Sequence, residues 1–447
     1  MSDTQTTEAR SGEVVADDVT AEVTAFLDRE WDPDISVGEW WERLAGAGWS
    51  APTWPTEWHG QGLSREEAVR VQRAIAGAGA LGPPGGLGLL LAGPTIVTHG
   101  TDEQKRRYLR DIVTGQKAWC QLFSEPGAGS DLAGLQCRAL ADGDEWVVNG
   151  QKVWTSGGHF ADLGMLIART DPDLPKHKGI SYFAIEMHQP GVDVRPLREM
   201  TGRALFNEVF LTDARVADDA LLGGRNEGWA VANTTLAFER AGLGAGGGTA
   251  AASAATPGTV AGDLERRAGD FTSGAGAGRR GATPGSMFGA AEKLLVELAR
   301  GNGAIADPSV RQDLVRLHTA NEIARYTNLR QKALRAAGQE DLPAVGNIAK
   351  LSMSAIVRLA RDLGLRILGP YGTLHGYDGE QKAALGAATG NPFAAMVTEM
   401  SLFSPAPAIY GGTDEVQHNI IGERVLGLPK EPGNERTTPF RDLPKNG

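Results

Sequence analysis

Helical texture gives way near residue 120 to a run of short, β-prone segments reaching to about Ala214, and it returns at about Asn226. A chain that reads helix, strand and helix in three blocks does not wind alternating βαβ units. It fits segregated layers that share one site. The expected fold class is therefore α+β: a helical N-terminal domain (1–118), a central antiparallel β domain (119–224) and a C-terminal helical bundle (225–430), with a polar tail at 431–447. The bundle carries an insert at about 242–289, rich in Gly, Ala, Ser and Thr. That composition has few side chains to pack and reads as a flexible loop. Within it, Leu264 to Ala268 carries the charge and leucine of a helical turn.

Local signals fix several elements. Ser64 with Glu67, and Thr101 with Gln104, are capping boxes that open amphipathic helices. Asp307-Pro308 reads as an N-cap followed by proline at the first helical position. Long helices are expected over Val310–Ala337, Val345–Leu368 and Asp414–Leu426. Strands are expected over Leu163–Ala168, Ile180–Glu186 and Glu208–Leu211. Asn149-Gly150, flanked by Glu145–Val148 and Gln151–Trp154, predicts a hairpin turn, because Asn-Gly supplies the positive φ pair of a type I′ turn. The apolar run Leu81–Val97 is interrupted by Pro83, Pro84 and Pro94 and is shorter than the ~20 residues of a membrane span, so it reads as core.

Charge and cysteine narrow the function. A net charge of -11 argues against a nucleic-acid partner, which needs clustered Lys and Arg. Two cysteines, Cys120 and Cys137, make no disulfide framework and no metal spacing, and with a polar, acidic start they fit a cytoplasmic protein. No Gly-x-Gly-x-x-Gly follows a strand and opens a helix, so a Rossmann site is not expected.

Three segments then stand out: Gln121-Leu122-Phe123-Ser124-Glu125-Pro126-Gly127-Ala128-Gly129-Ser130-Asp131, Asn149 to Gly158, and Ile409-Tyr410-Gly411-Gly412-Thr413-Asp414-Glu415-Val416-Gln417. Together, in this order and separation, they resemble the acyl-CoA dehydrogenase family, and the resemblance runs from about residue 20 to 430. It implies FAD as cofactor and α,β-dehydrogenation of an acyl-CoA thioester. It places Leu122, Phe123, Ser124, Trp154, Thr155, Ser156, Thr413, Glu415 and Gln417 at the FAD, and Ser130 at the acyl-CoA. Gly369, in Leu368-Gly369-Pro370-Tyr371-Gly372, resembles the loop that approaches a neighbouring subunit's cofactor. Many family members carry an Arg followed by Phe-Gly just before the Gln that matches Gln312, and that Arg contacts FAD across a subunit interface. Here the stretch is Arg300-Gly301-Asn302-Gly303-Ala304, with Arg300 as the substitute, and Arg300, Gln312 and Gly369 join the cofactor-binding candidates.

The chemistry needs a base for the weakly acidic α-proton. Many family members carry a Glu directly after the tyrosine of the third segment, where this chain has Gly411. A minority branch places the Glu before an Arg on a helix after the β domain, and Ala237-Phe238-Glu239-Arg240 matches it. Glu239 is the candidate base, with Arg240 and the Gly411 N–H at the substrate. The resemblance also implies an electron-transfer flavoprotein as acceptor and a homodimer or homotetramer, with a mixed tetramer as a variant. A related oxidase or flavin monooxygenase, or a non-catalytic subunit, are the competing readings.

Overall fold

The computed structural model describes residues 14–244, 255–272, 284–339, 344–430, 432–433 and 435–444. Among the described residues five helices come first: α1 (Val14–Glu30), α2 (Val37–Gly46), α3 (Arg65–Gly77), α4 (Gly93–His99) and α5 (Asp102–Val113). Both expected capping boxes form, at Ser64 with Glu67 and at Thr101 with Gln104. Gln104 also donates to the carbonyls of Asp219 and Leu221, which ties α5 to the β domain. Trp40 and Trp41 of α2 are fully buried, and their ring N–H groups donate to Leu81 and Gly82 carbonyls at 2.7 and 2.9 Å. Aromatic bulk is thus buried without stranding a donor. The Leu81–Val97 run is core as expected, with a π-turn at Gly88–Ala92 leading into α4.

Eight strands follow: β1 (Trp119–Leu122), β2 (Arg138–Asp142), β3 (Glu145–Ser156), β4 (Leu163–Arg169), β5 (Ile180–Glu186), β6 (Val192–Leu197), β7 (Phe206–Ala217) and β8 (Leu221–Leu222). Their order is β6-β7-β3-β2-β4-β5-β8, and all neighbours are antiparallel except where β1 and the first residue of β2, Arg138, run parallel to β4. All seven residues of β4 are buried, which its apolar run required. The Asn149-Gly150 hairpin does not form. Both residues lie inside the single strand β3, at a bulge against β7. The turn falls earlier, at Gly143-Asp144 between β2 and β3, where Gly143 supplies φ +69°. Gly150 is needed for a different reason: a Cβ there would stand 2.7 Å from the Cys137 backbone.

The bundle comprises α6 (Gly228–Gly244), α7 (Pro284–Gly301), α8 (Pro308–Ala336), α9 (Val345–Leu368), α10 (Gly379–Thr389), α11 (Ala394–Phe403) and α12 (Asp414–Ile420). Beyond α12 the chain continues as a π-turn, Ile421–Val425. One core runs from the N-terminal helices through the β domain into α6, and a second lies inside α7–α11.

Two stretches expected to be loose are docked. Residues 255–272 of the insert lie against the N-terminal helices: Val37 and Gly38 N–H groups donate to the Arg266 and Leu264 carbonyls, and Ala268 donates back to Ile35. Leu264-Glu265 forms a turn closed by the Arg266 N–H on the Asp263 carbonyl, Arg267 makes an isolated bridge to Ser36, and a 3-10 turn follows at Ala268–Phe271. The rest of the insert expected at 242–289 lies partly outside the described residues. The tail returns to the β domain, with Phe440 buried. Among the described residues no helix is long and apolar enough to cross a membrane.

Candidate active site

The site grows from β1. Its last residues lead into Ser124 and Glu125, and a buried ion pair holds this turn. Lys152 of β3 is fully buried and its Nζ donates to Glu125 at 2.8 Å and to the Phe123 carbonyl at 3.0 Å. Glu125 also accepts the N–H groups of Gln136 and Cys137 at 2.7 and 2.9 Å. Every charge in the pair is met, which a buried pair requires. The neighbouring Val153 N–H donates to the Ser124 carbonyl at 2.9 Å, so Ser124 is stitched to the strand that carries Trp154.

Trp154 has a left-handed backbone, φ 61°, within a bulge of β3 between Lys152 and Thr155. Its side chain is 58% exposed, and the ring stands edge-on to Phe206 at 5.7 Å. A bulky residue at positive φ costs of order 1–3 kcal/mol and persists only where the surroundings impose it. Ser156, two residues on, is also exposed, while Thr155 is buried, and among the described residues its hydroxyl finds no partner. Leu122 and Phe123 are likewise buried, and Phe123 packs edge-on against Tyr182. Of these sequence-predicted residues, Ser124, Trp154 and Ser156 therefore offer side chains outward. Leu122, Phe123 and Thr155 can offer only backbone. A flat ring held outward at a conformational cost, with the exposed Ser156 two residues on and the half-buried Ser124 joined to the same strand, fits an isoalloxazine, which needs an apolar cover and hydrogen-bonding edges.

Glu239 lies on α6, partly buried. Gln121 of β1, three residues before Ser124, donates Nε2 to its Oε2 at 3.4 Å. Burial pushes the Glu239 carboxyl above the usual carboxylate range, against the smaller pull of Gln121 and Arg240. That is the direction a general base needs to work near neutral pH. Burial lowers the pKa of the Arg240 guanidinium, Glu239 counters that shift, and Arg424, beyond α12, adds to it by repulsion. The end of α6 and the C-terminal π-turn thus face each other. Gln121 is the residue that the sequence reading missed as a site member, although it opens the first motif.

The third motif builds its own frame. Thr413 caps α12 by accepting from the Val416 N–H at 3.2 Å. Asp414 is paired with Lys350 and Arg358 and accepts from Ser354, all on α9. The Gln417 amide donates to the Gly411 and Gly412 carbonyls and accepts from Asn347 at 2.6 Å. Gly411 and Gly412 both have positive φ, 65° and 81°. The Gln417 side chain is therefore committed to shaping the Gly-Gly turn, and Glu415 is exposed. Helix α9 packs on both α6 and α12, which places the motif and the Glu239 helix on a common neighbour.

Arg300, Gln312 and Gly369 gather elsewhere, at one end of the bundle. All three are exposed. Asn302 donates to the Ile367 carbonyl at 2.7 Å, and Arg366 pairs with Asp313, which draws the three segments together. Both cysteines are free and buried, and burial pushes the Cys120 thiol up to about 12. Among the described residues no cluster of three or more His, Cys, Asp or Glu side chains could hold a metal ion.

Comparison with known proteins agrees along nearly the whole chain. Three family models match: acyl-CoA dehydrogenase N-terminal domain at residues 7–116, middle domain at 120–214 and C-terminal domain at 280–426. Helix α6 falls between the last two matches. The chain is 36% identical over 395 residues to the acyl-CoA dehydrogenase IpdE1 of Mycobacterium tuberculosis, covering 88% of each chain. Among solved structures it resembles the Tcur3481-Tcur3483 steroid ACAD, with TM-score 0.66 and 27% identity over 94% of this chain and 99% of that one. It also resembles the ChsE4-ChsE5 complex of Mycobacterium tuberculosis, with TM-score 0.64 and 27% identity over 95% and 100%.

Proposed function

This chain belongs to the acyl-CoA dehydrogenase family of FAD-dependent oxidoreductases acting on CH–CH bonds, and within that activity we propose that Glu239 is the base that removes the α-proton of a bound acyl-CoA thioester. The observation that carries this reading is the path along β1. Gln121 reaches Glu239, and three residues further Ser124 is bonded to the strand of Trp154. One short strand therefore links the candidate base to the candidate flavin face.

The flavin, when bound, supplies the acceptor for the β-hydride. The protein's own residues do the rest. Trp154 covers the ring, with Ser124 and Ser156 at its edges. The Gly411 N–H polarises the thioester carbonyl, and positive φ at Gly411 and Gly412, held by Gln417, sets the direction of that donor. Ser130, exposed after the tight Glu125–Ala128 turn, meets the polar arm of the substrate. Glu239 takes the α-proton, the electron pair of that broken bond forms the Cα=Cβ double bond, and the Cβ–H bond breaks with its own pair, which leaves as hydride to the flavin. Arg240 sits beside the newly protonated acid.

An electron-transfer flavoprotein is the proposed acceptor. A homo-oligomer or a mixed tetramer is proposed because α8 leaves Ile323 and Tyr326 each 60% exposed, together with Val315 and Leu329. Exposed apolar rows of this kind mark protein contacts. The second arrangement is suggested by the two-component complexes among the structural relatives. Anaerobic titration of the yellow protein with a panel of CoA thioesters, steroid thioesters included, tests the reading. Rapid bleaching under nitrogen with slow recovery in air is expected. Bleaching that reverses within seconds in air would identify an oxidase instead.

A further inference from the structure

The C-terminal tail, read from sequence as a polar appendage, ends against two loops of the β domain. These are Asp131–Leu135, which follows Ser130, and Asp171–Lys178, which joins β4 to β5. Arg169, at the end of β4, binds them together. Its guanidinium donates to the Lys176 carbonyl at 2.6 Å and to the Ala133 carbonyl at 2.6 Å. Among the described residues no carboxylate touches it, so carbonyl dipoles meet its charge, with Glu125 and Asp131 acting from further away. Phe440 closes the remaining side, its ring stacked 3.7 Å from the guanidinium. The tail backbone pairs with the same loop: Phe440 N–H donates to the Leu174 carbonyl at 2.9 Å and Arg441 N–H to the Pro172 carbonyl at 3.0 Å. Arg441 pairs with Asp173 at 2.8 Å.

A second anchor reaches the same place. Lys176 is buried, and its Nζ meets Asp131 at 2.9 Å and Glu435 of the tail at 2.5 Å. Asp131 is the residue next to Ser130. On its other side the 171–178 loop touches the helix of the candidate base, since His177 stacks edge-on against Trp229 in the first turn of α6. Two independent tail contacts, one aromatic and one ionic, thus converge on the turn that presents Ser130.

We propose that residues 435–443 are a latch on the substrate site, in which Phe440 and Glu435 are positioning residues that hold the Ser130–Asp131 turn for the polar arm of the CoA thioester. This rests on the placement of Ser130 at the substrate. Without Phe440, water reaches Arg169, both loops loosen, and the thioester is held less well. The bond-making centre is untouched, because neither tail residue contacts Gln121, Glu239 or Trp154.

The test uses the full-length, FAD-loaded protein and a CoA thioester analogue that cannot lose an α-proton. Phe440→Ala should weaken analogue binding about tenfold, the loss expected for a desolvated cation–ring contact. Phe440→Tyr, which keeps the ring, should restore it. Glu435→Gln should weaken binding in the same direction by a smaller factor. The limiting rate of flavin reduction at saturating substrate should stay at the parent value in all three. Amide exchange over Leu132–Leu135 should quicken in Phe440→Ala, measured without substrate. Parent-like affinity in Phe440→Ala overturns the latch. So does weakened binding that Phe440→Tyr fails to restore. Ser130→Ala is the separate arm: if it binds the analogue as the parent does, the placement of Ser130 fails and the latch fails with it. If it weakens binding while Phe440→Ala does not, the site reading stands and only the latch falls.

Discussion

At Trp154 the chain accepts a backbone that a bulky residue ordinarily avoids, in order to hold an indole outward from a β domain. Replacing it by Ala removes the proposed cover of the flavin and leaves the bulge in place. Purified Trp154→Ala should retain the fold but lose bound flavin on gel filtration, while the parent keeps it; equal flavin content would remove Trp154 from the cofactor face. Glu239 gives a pH prediction. Its carboxyl is raised by burial, so it is protonated, and idle as a base, below a pKa higher than an ordinary carboxylate's. The limiting rate of flavin reduction should therefore fall as pH drops through that raised value. Gln121 donates to the charged form, so Gln121→Leu should move the acid limb to higher pH. A limb that stays in place in the stopped-flow profile of this variant would show that Gln121 does not act on the base. Glu239 was picked out as the candidate base through its Phe-Glu-Arg setting. Gln121 was not legible as its partner, because a contact between positions 118 apart leaves no periodicity or spacing to read.

Among the elements, what a few neighbouring residues decide was readable. Both capping boxes formed, and α9 has the limits its apolar pattern indicated. The misread turn shows the boundary of such reasoning. Asn149-Gly150 and the later-chosen Gly143-Asp144 are both good turn chemistry. Pairing of β3 with β2 on one side and β7 on the other selects between them. The docked insert and tail were hidden for a related reason: their composition is poor in apolar residues, and they are held by backbone hydrogen bonds and buried ions contributed from far along the chain. The Lys152–Glu125 pair offers the element-scale test. Lys152→Met fits the volume but leaves Glu125 charged, buried and partnered only by N–H groups. A loss of about 3–5 kcal/mol is expected for breaking such a pair. Urea unfolding measures it, and a change under about 1 kcal/mol would mean that Glu125 takes up a proton or water at little cost.

At the scale of the whole molecule, the exposed apolar row on α8 and the grouping of Arg300, Gln312 and Gly369 at one bundle end predict an assembly rather than a monomer. Light scattering should report a dimer or a dimer of dimers, and Tyr326→Glu, which puts a charge in that row, should shift it toward smaller species. A monomeric parent that still holds FAD tightly would contradict the expected role of Arg300 and Gly369 toward a neighbour. The central claim is the base, and one variant tests it directly. Glu239→Gln preserves shape and hydrogen-bonding reach but cannot accept a proton. In anaerobic stopped-flow with a thioester that reduces the parent, it should remain yellow and bind the substrate, yet reduce its flavin more slowly by at least ~10²–10⁴-fold, the usual contribution of a general base. Reduction at the parent rate would contradict the account and move the search to another carboxylate near the Ser124–Trp154 face.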